Sequence, residues 1–300
     1  MITLNSVSRT YGWRHRRALN DVSLSLPDAG VVALVGPEGA GKTTLMQILA
    51  GLTAPSSGTV SMDGRALPAR EALGRAMMVS PSQYFGELFG SSLVKYAQLR
   101  PEWDQGLFDQ YLERFEFSPV LLHWKAVRRF SRAQIAILMG SIALASGAPI
   151  TLLDEIQAPL DEAAREGFYE EIRTLAAEAA AGRRPRRLFV LSSSAACDLD
   201  TVADEVIVVK SGELVVRENL DNFKQRTGVL VGHGADVDRF LSARPDLEPI
   251  ASRDDGATRE VVLDRYRSVI SDAELAAHSL STHEGSFQDA LTYVVQEAGR

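Results

Sequence analysis

The segment Gly36-Pro37-Glu38-Gly39-Ala40-Gly41-Lys42-Thr43 decides the fold of this chain. It matches the pattern G-x-x-x-x-G-K-[ST]. The five residues before it, 31–35, are continuously apolar, as in a strand that is covered on both faces. A helical stretch over about residues 42–50 follows it and ends at Gly51. A buried strand, a glycine-rich turn and a helix in this order predict an α/β fold.

The same segment forms a candidate phosphate site. Its glycines let backbone N–H groups turn toward an anion, and the positive end of the following helix adds to the attraction. We expect Lys42 to contact the β- and γ-phosphates of a nucleotide, Thr43 to bind Mg²⁺ and Thr44 to contact the α-phosphate. A chance glycine-rich turn is disfavoured because the Lys-Thr pair and both flanking elements agree. The predicted nucleotide-binding loop comprises Gly36, Pro37, Glu38, Gly39, Ala40, Gly41, Lys42, Thr43 and Thr44.

A second motif, Ile150-Thr151-Leu152-Leu153-Asp154-Glu155, is an apolar strand that ends in two carboxylates. Side chains alternate along a strand, but a bend at its end would let Asp154 hold the Mg²⁺ shell while Glu155 faces an attacking water. A solvated strand end is the alternative, and the phosphate loop upstream disfavours it. The long stretch between Lys42 and Asp154 leaves room for an inserted helical subdomain.

The remaining sequence predicts how these motifs are arranged. Residues 2–7 and 22–26 alternate between apolar and polar, which indicates antiparallel strands. Strands and a long helix alternate after the second motif, which indicates a parallel sheet. The predicted elements there are a strand at 150–153, a helix at about 162–181 and strands at 188–191, 206–209 and 214–216. We predict a P-loop NTPase core over 1–219 with an antiparallel β subdomain, a helical subdomain over about 84–145, and a small α+β appendage over 220–300.

Composition limits the classes of function. The formal net charge of -7 argues against non-specific nucleic-acid binding, which needs a surplus of Lys and Arg. Two basic clusters, at 14–17 and 183–187, are interpreted as solvated loops rather than as contacts to a ligand or to lipid. The single cysteine, Cys197, cannot form an internal disulfide, and no spacing of Cys and His indicates zinc. These features favour a cytoplasmic protein.

Export and membrane signals are not expected. The N-terminus lacks a charged start followed by a long apolar run, so we predict no signal peptide. Residues 134–153 carry no charge and approach the length of a membrane span. Because Gly147 and Pro149 divide this stretch, we predict a buried helix followed by a buried strand instead.

Together these motifs resemble the ABC transporter ATPase family over about residues 1–216. The resemblance implies that the nucleotide is ATP, that Tyr11 stacks on the adenine and that Gln83 contacts the metal and the attacking water. It also implies that Phe130-Ser131-Arg132-Ala133-Gln134 is the signature segment, which retains Ser131 and Gln134 and caps the γ-phosphate bound by the opposite subunit of a head-to-tail dimer. Asp161 in Ala158-Pro159-Leu160-Asp161 matches the acid of the family's D-loop.

Two of these assignments keep an alternative. A lone tyrosine such as Tyr11 is otherwise more often a packing residue. The apolar residues after Gln83 would suit docking of a transmembrane coupling helix, but a place in the core of the helical subdomain is equally compatible with them. These residues are Tyr84, Phe85, Leu88 and Phe89.

The chain departs from the family pattern at several positions. Arg132 and Ala133 replace the two signature glycines, and Ile156 replaces the usual proline after the glutamate. Ser194 stands where the family has its switch histidine. A missing preorganised donor to the γ-phosphate costs roughly 10² to 10³ in rate, so we expect ATP binding with slow hydrolysis unless Ser194 or Ser193 substitutes.

The resemblance implies a subunit that binds and hydrolyses ATP at the cytoplasmic face of a membrane and energises a separate transmembrane permease. The expected class is an exporter of the drug and antibiotic type. Its dimer partner would be an identical chain or a second ABC ATPase. A regulatory cassette with little hydrolysis is the second hypothesis, whereas a soluble cassette protein of translation or repair is disfavoured because this sequence shows neither a second cassette nor a long coiled-coil insertion. The implied catalytic residues are Glu155, Lys42, Gln83 and Ser194, and the implied metal ligands are Thr43, Gln83 and Asp154.

Overall fold

The computed structural model describes residues 1–12, 16–82, 85–195, 199–256, 258–264 and 270–298. The strands are β1 (Ile2–Tyr11), β2 (Arg16–Leu26), β3 (Gly30–Val35), β4 (Ser57–Met62), β5 (Arg65–Ala66), β6 (Ala76–Val79), β7 (Ile150–Asp154), β8 (Leu188–Ser193), β9 (Glu205–Lys210), β10 (Glu213–Asn219), β11 (Thr227–His233), β12 (Pro249–Asp254), β13 (Thr258–Asp264) and β14 (Ser281–Glu284). The helices are α1 (Lys42–Leu49), α2 (Ala69–Arg75), α3 (Gly90–Ala97), α4 (Gln105–Arg114), α5 (Leu121–Trp124), α6 (Arg132–Ala145), α7 (Glu162–Ala180), α8 (Leu220–Lys224), α9 (Gly234–Ala243), α10 (Asp272–Ala277) and α11 (Phe287–Glu297).

A six-stranded sheet with the order β10-β9-β3-β8-β7-β6 forms the centre of the fold. Strands β9, β3, β8, β7 and β6 run parallel, and β10 pairs antiparallel with β9 at one edge. Both faces of β3 are covered: Val31, Ala33 and Val35 pack into one core, and Val32 and Leu34 pack into another. The predicted parallel sheet is confirmed, and it brings the carboxyl ends of its strands to one edge.

A four-stranded antiparallel sheet with the order β2-β1-β4-β5 carries the N-terminal segment. Strands β1 and β2 confirm the predicted antiparallel pair and extend beyond it, so that Tyr11 lies opposite Arg16. The sequence pattern predicts neither β4, β5 and α2 nor β6, because these elements are short and their apolar residues follow no clear period. Strand β6 nevertheless completes the central sheet beside β7.

Helices α3 to α6 lie between β6 and β7 along the chain. The C-terminal part of α6, residues 138–145, is fully buried. It contacts α4 and the strands β6 and β7. The uncharged stretch of the sequence is therefore a buried helix followed by the buried strand β7, as predicted. Within the described ranges, no helix combines the length and the apolar character needed to cross a bilayer.

Arg187 is buried, so the interpretation of residues 183–187 as a solvated loop is wrong for this residue. Its guanidinium donates to the Oγ1 atom of Thr151 at 2.9 Å and to the carbonyls of Ala143 and Leu144 at 2.6 and 2.7 Å. It also lies 4.7 Å above the ring of Phe189. Burial lowers the pKa of Arg187 to about 9. The negative C-terminal end of α6 favours a cation at this position.

The C-terminal region follows the order β11-α9-β12-β13-α10-β14, with a sheet order of β12-β13-β11-β14. This is the ferredoxin-like arrangement of an α+β unit, which confirms the predicted class of the appendage. Helix α11 joins this unit to the central fold. Phe287 of α11 packs 5.5 Å from Phe223 of α8, Asp289 pairs with Arg253 of β12, and Lys210 of β9 donates to the carbonyl of Val295.

Candidate active site

The carboxyl ends of β3, β7 and β8 border an open cavity of about 1120 Å³. Residues 38–44 line it, together with Tyr11 at the end of β1 and Asp154, Glu155 and Ser194 after β7 and β8. The two motifs that the sequence separates by more than a hundred residues therefore meet at one site. The cavity is large enough for a small-molecule ligand of nucleotide size.

Two glycines of the loop are needed because the backbone passes very close to its neighbours. A Cβ atom on Gly36 would lie 1.9 Å from the carbonyl oxygen of Val209, and one on Gly41 would lie 2.4 Å from that of Ala18. Both glycines also have a positive φ, 151° and 107°. The loop leads directly into α1, which begins at Lys42, so the N–H groups of its first turn face the cavity side of the loop.

Lys42 is buried and folds back over the loop. Its Nζ atom donates to the carbonyls of Gly36 at 2.7 Å and Pro37 at 3.1 Å, and it lies 3.8 Å from the Oε1 atom of Glu155. Burial lowers the pKa of Lys42, and the nearby carboxylates of Glu155 and Asp154 oppose that shift. The cation thus lies between the loop and the carboxylates of Asp154 and Glu155, where an anion would be attracted.

Asp154 is buried at the end of β7 and is held at both oxygens. Thr43 donates its hydroxyl to Oδ2 at 2.9 Å, and Ser192 donates its hydroxyl to Oδ1 at 2.6 Å. Hydroxyl and carboxylate oxygens are the ligands that Mg²⁺ prefers. The pairing of Thr43 with Asp154 therefore fits the magnesium site that the sequence predicts.

Glu155 directly follows β7, where the chain turns sharply into the left-handed region with a φ of 53°. The predicted bend at the strand end is present. Burial raises the pKa of Glu155, whereas hydrogen bonds from the side chain and the backbone of Ser194 and the charge of Lys42 lower it. A carboxylate of raised pKa that lines the cavity is suited to accept a proton from water.

Tyr11 lines the cavity at the end of β1. Its hydroxyl lies 3.4 Å from the Oε1 atom of Gln47 in α1, and the guanidinium of Arg9 lies 4.6 Å from the centre of its ring. Arg9 is held in turn by the carbonyl of Ala54, to which it donates at 2.9 Å. The aromatic ring is therefore fixed at the rim of the cavity, and its location is compatible with stacking on a base.

Comparison with known proteins shows which family this chain resembles. Residues 19–158 match the family model described as ABC transporter. The chain is 29% identical over 229 residues to the uncharacterized ABC transporter ATP-binding protein YxlF of Bacillus subtilis (strain 168), and the alignment covers 75% of this chain and 73% of YxlF. It is 23% identical over 221 residues to the lantibiotic transport ATP-binding protein SrtF of Streptococcus pyogenes, and the alignment covers 74% of this chain and 92% of SrtF. Over residues 19–158 this chain is similar to the ABC transporter family, and the relatives that it matches are named as ATP-binding proteins of transporters.

Solved structures share the fold of this chain. The dimeric structure of an ATP-binding cassette in a post-hydrolysis state, bound to ADP and Pi, is similar to it with a TM-score of 0.58 and 21% sequence identity. The likeness covers 73% of this chain and 99% of that cassette. The mixed α/β fold with a P-loop is therefore confirmed.

Three of the predicted nucleotide contacts do not line the cavity of this chain. Ser131 and Gln134 form a capping box at the start of α6: the Gln134 amide donates to the Ser131 hydroxyl at 3.1 Å, and the Ser131 amide donates to the Gln134 side chain at 3.0 Å. Asp161 caps α7 by accepting from the amide of Ala164 at 2.9 Å. None of the three lines the cavity, whereas Arg132 does. Gln83 and Tyr84 lie outside the described residues.

Several residues near the site do not follow from the sequence. Arg16 and Arg17 belong to β2 and line the cavity, so the interpretation of their cluster as a solvated loop is wrong for these two residues. Ser192 and Gln157 are buried beside the carboxylates. The polar run Ser192-Ser193-Ser194 at the end of an apolar strand is the one signal that could have indicated Ser192.

Proposed function

We propose that this chain is an ABC transporter subunit that binds ATP with Mg²⁺ and hydrolyses it slowly, between two cassettes, to energise a separate transmembrane permease of the export class. The observation that carries the proposal is the convergence of the loop at 38–44, Asp154 and Glu155 on one cavity. A P-loop lysine, a Thr–Asp pair and a strand-end glutamate are the elements that phosphoryl transfer to water requires.

Magnesium fits the residues present, and Thr43 and Asp154 would hold it. Their side-chain oxygens already lie 2.9 Å apart, and Gln83 is the third ligand implied by the family resemblance. When bound, the cation neutralises charge on the phosphates. Lys42 contributes a second positive charge, and the amides of the loop and of the first turn of α1 contribute hydrogen bonds.

Glu155 is the proposed general base. The Glu155 carboxylate orients the attacking water and accepts a proton from it. The pKa of Glu155 is raised toward neutral pH, which makes the carboxylate a stronger base. Lys42 lies close enough, at 3.8 Å, to stabilise the ionised form until a phosphate competes for the cation. Glu155 is therefore stabilised in its ionised form, which can accept a proton, before ATP binds.

Slow hydrolysis follows from the hydrogen bonds of Ser194. Its side chain and amide contact the Glu155 carboxylate. Because the short side chain of Ser194 is bonded to Glu155, the γ-phosphate lacks the hydrogen-bond donor that a histidine would supply. Loss of such a donor costs roughly 10² to 10³ in rate. This loss concerns the reaction and leaves the groups that bind ATP intact.

Dimerisation is proposed from the location of the signature segment and the D-loop. Ser131 and Asp161 are exposed helix caps outside the cavity of their own chain, so their proposed contact with nucleotide requires a second cassette. The solved cassette with the same fold is dimeric. The proposal holds for an identical partner and for a second ABC ATPase.

The permease partner is proposed from large apolar side chains that are exposed on the helical region. These residues are Leu88, Phe89, Tyr96, Leu99, Val120 and Trp124. Apolar groups exposed together mark an interaction site. Among the apolar residues after Gln83, Phe85 is buried and belongs to the core. Leu88 and Phe89 are exposed and available for docking.

The division of the chain and the direction of transport complete the proposal. We place the nucleotide-binding domain at 1–219, with its helical subdomain at about 84–145, and the accessory region at 220–300. A permease partner would hold the subunit at the cytoplasmic face of the membrane. Export is supported by the similarity to SrtF, which is named for lantibiotic transport.

The proposal is tested by affinity purification of the tagged chain from solubilised membranes of its source cell, with and without Phe89→Ser. We expect a polytopic membrane protein to co-purify with the unaltered chain and to be lost with Phe89→Ser. Leu73→Ser on α2 is the matched control, because Leu73 is 46% exposed and Phe89 is 42% exposed. Retention of the membrane protein by Phe89→Ser, or equal loss with Leu73→Ser, contradicts the docking surface. Tight ATP binding without any hydrolysis in the captured complex supports the regulatory alternative instead.

A further inference from the structure

Ser192 is a fully buried residue at the end of β8, directly beside the catalytic carboxylates. In the parallel pairing of β7 with β8, it is the partner of Asp154. The strands place its hydroxyl between the last residue of β7 and the turn that follows. The family resemblance assigns it no role, because the switch position is two residues further along the chain.

The Ser192 hydroxyl makes two hydrogen bonds that together link the carboxylates. It donates to the Oδ1 atom of Asp154 at 2.6 Å and accepts from the backbone N–H of Glu155 at 3.0 Å. A hydroxyl has one proton to donate and can accept at the same time, so the two bonds are compatible. One contact holds a side chain and the other holds the backbone of the next residue.

The backbone contact matters because Glu155 has a conformation that a residue with a Cβ atom rarely adopts. Its φ is 53°, in the left-handed region. Such a conformation persists only where the surroundings hold it. The bond from the Glu155 amide to Ser192 does so, and the direction of the backbone there sets the direction in which the Glu155 side chain leaves the strand.

Gln157 holds the same turn from its other side. It is 1% exposed, and its Nε2 atom donates to the carbonyl of Ser192 at 2.8 Å. Its Oε1 atom is buried and has no hydrogen-bond partner within the described ranges. Burial of an unpaired acceptor costs free energy. The buried position of the Gln157 side chain must therefore be stabilised by its other contacts, which include the bond to Ser192. The Asp154 side chain, the Glu155 amide and the Gln157 side chain are therefore all hydrogen-bonded to one residue of β8.

We infer that Ser192 is a positioning residue for the hydrolysis reaction, which sets the direction of the Glu155 carboxylate through the Glu155 amide, with Gln157 securing the turn. This inference rests on the proposed function. Ser192 lies too deep to touch the nucleotide, so its effect is exerted on the orientation of the base and not on ATP affinity.

The test compares Ser192→Ala with Ser192→Thr, which keeps the hydroxyl, in steady-state ATP hydrolysis with ATP and Mg²⁺ varied separately. We expect Ser192→Ala to lower kcat about tenfold, because a small displacement of a reacting group has that order of effect. KM for ATP stays unchanged, and Ser192→Thr regains most of the rate. Ser141→Ala is the matched control, since Ser141 is equally buried and has no hydrogen-bond partner in the described part of the chain.

Three outcomes overturn the inference: an unchanged kcat in Ser192→Ala, a loss confined to KM or to the Mg²⁺ midpoint, or a kcat for Ser192→Thr as low as that for Ser192→Ala at equal melting temperature. Should Ser192→Thr fail to fold, Gln157→Leu replaces it, and a fall in kcat at constant KM is again expected. Failure of the proposed function is recognised separately, because an unaltered chain that hydrolyses no ATP with its permease contradicts that function regardless of Ser192.

Discussion

The two sides of the nucleotide cavity follow the family pattern to different degrees. On the side of β3 and α1, the loop keeps every glycine, the lysine and the threonine, and Gly36 and Gly41 lie where no side chain fits. On the side of β7 and β8, Glu155 is present but Ser194 takes the place of the switch histidine and contacts Glu155. We therefore expect binding and hydrolysis to depend on separable groups, because this chain matches the family pattern more completely on the side that would bind the phosphates.

The largest expected effect lies on the β7–β8 side. Glu155→Gln removes the general base and is expected to lower kcat roughly 10²- to 10⁴-fold while ATP affinity is retained, because the carboxylate is not among the groups that hold the phosphates. Steady-state hydrolysis and equilibrium binding of ATP measure the two quantities. A variant that hydrolyses ATP at the unaltered rate would show that another group accepts the proton.

The matching change on the β3–α1 side is Lys42→Ala. We expect ATP affinity to fall roughly 10- to 100-fold, because charge-assisted hydrogen bonds to the phosphates are lost. Equilibrium dialysis with labelled ATP measures it. Lys95→Ala, at an exposed position of α3, is the control and should bind ATP normally. Unchanged affinity in Lys42→Ala would contradict the assignment of the whole loop.

A smaller effect is expected at the rim. Tyr11→Ala should weaken ATP binding roughly tenfold, since stacking of a base on an aromatic ring is lost. Tyr11→Phe keeps the ring and gives up only the long contact to Gln47, so its affinity should stay near that of the unaltered chain. Binding of inorganic triphosphate should respond to neither change. An equal loss in both variants would indicate that Tyr11 serves packing rather than stacking.

The smallest effect is a shift in pH dependence. Glu155 must be ionised to accept a proton, and the hydrogen bond from the Ser194 side chain lowers its pKa. Ser194→Ala removes that bond, so the pKa of Glu155 rises and the acid limb of the kcat profile moves to higher pH. Measurement of kcat across pH checks the direction. A limb that moves to lower pH, or stays in place, would contradict the contact between Ser194 and Glu155.

The sequence predicts the loop side of the site well because its information is local. The spacing of glycines, the Lys-Thr pair and the flanking strand and helix are contiguous, and the structure reproduces all of them. The strand that ends in Asp154 and Glu155 is predicted for the same reason. Contiguous patterns report on backbone geometry without knowledge of the tertiary fold.

The other side escapes prediction because it depends on which strands become neighbours. Ser192 contacts Asp154 only because β7 and β8 pair in one register, and Arg187 is buried only because α6 ends above it. Runs of serine and arginine usually indicate solvated segments, which made both residues inconspicuous. Strand β6 is missed because four residues carry too little pattern.

The most direct test of the central claim is to give the chain the histidine it lacks and to measure hydrolysis and binding on the same preparation. Ser194→His should raise kcat about tenfold or more, because a donor to the γ-phosphate is restored. Its affinity for ATP should stay unchanged, since the loop that binds the phosphates is untouched. A variant with unaltered kcat, or one whose gain is explained by tighter ATP binding, would contradict the separation of binding from hydrolysis in this subunit.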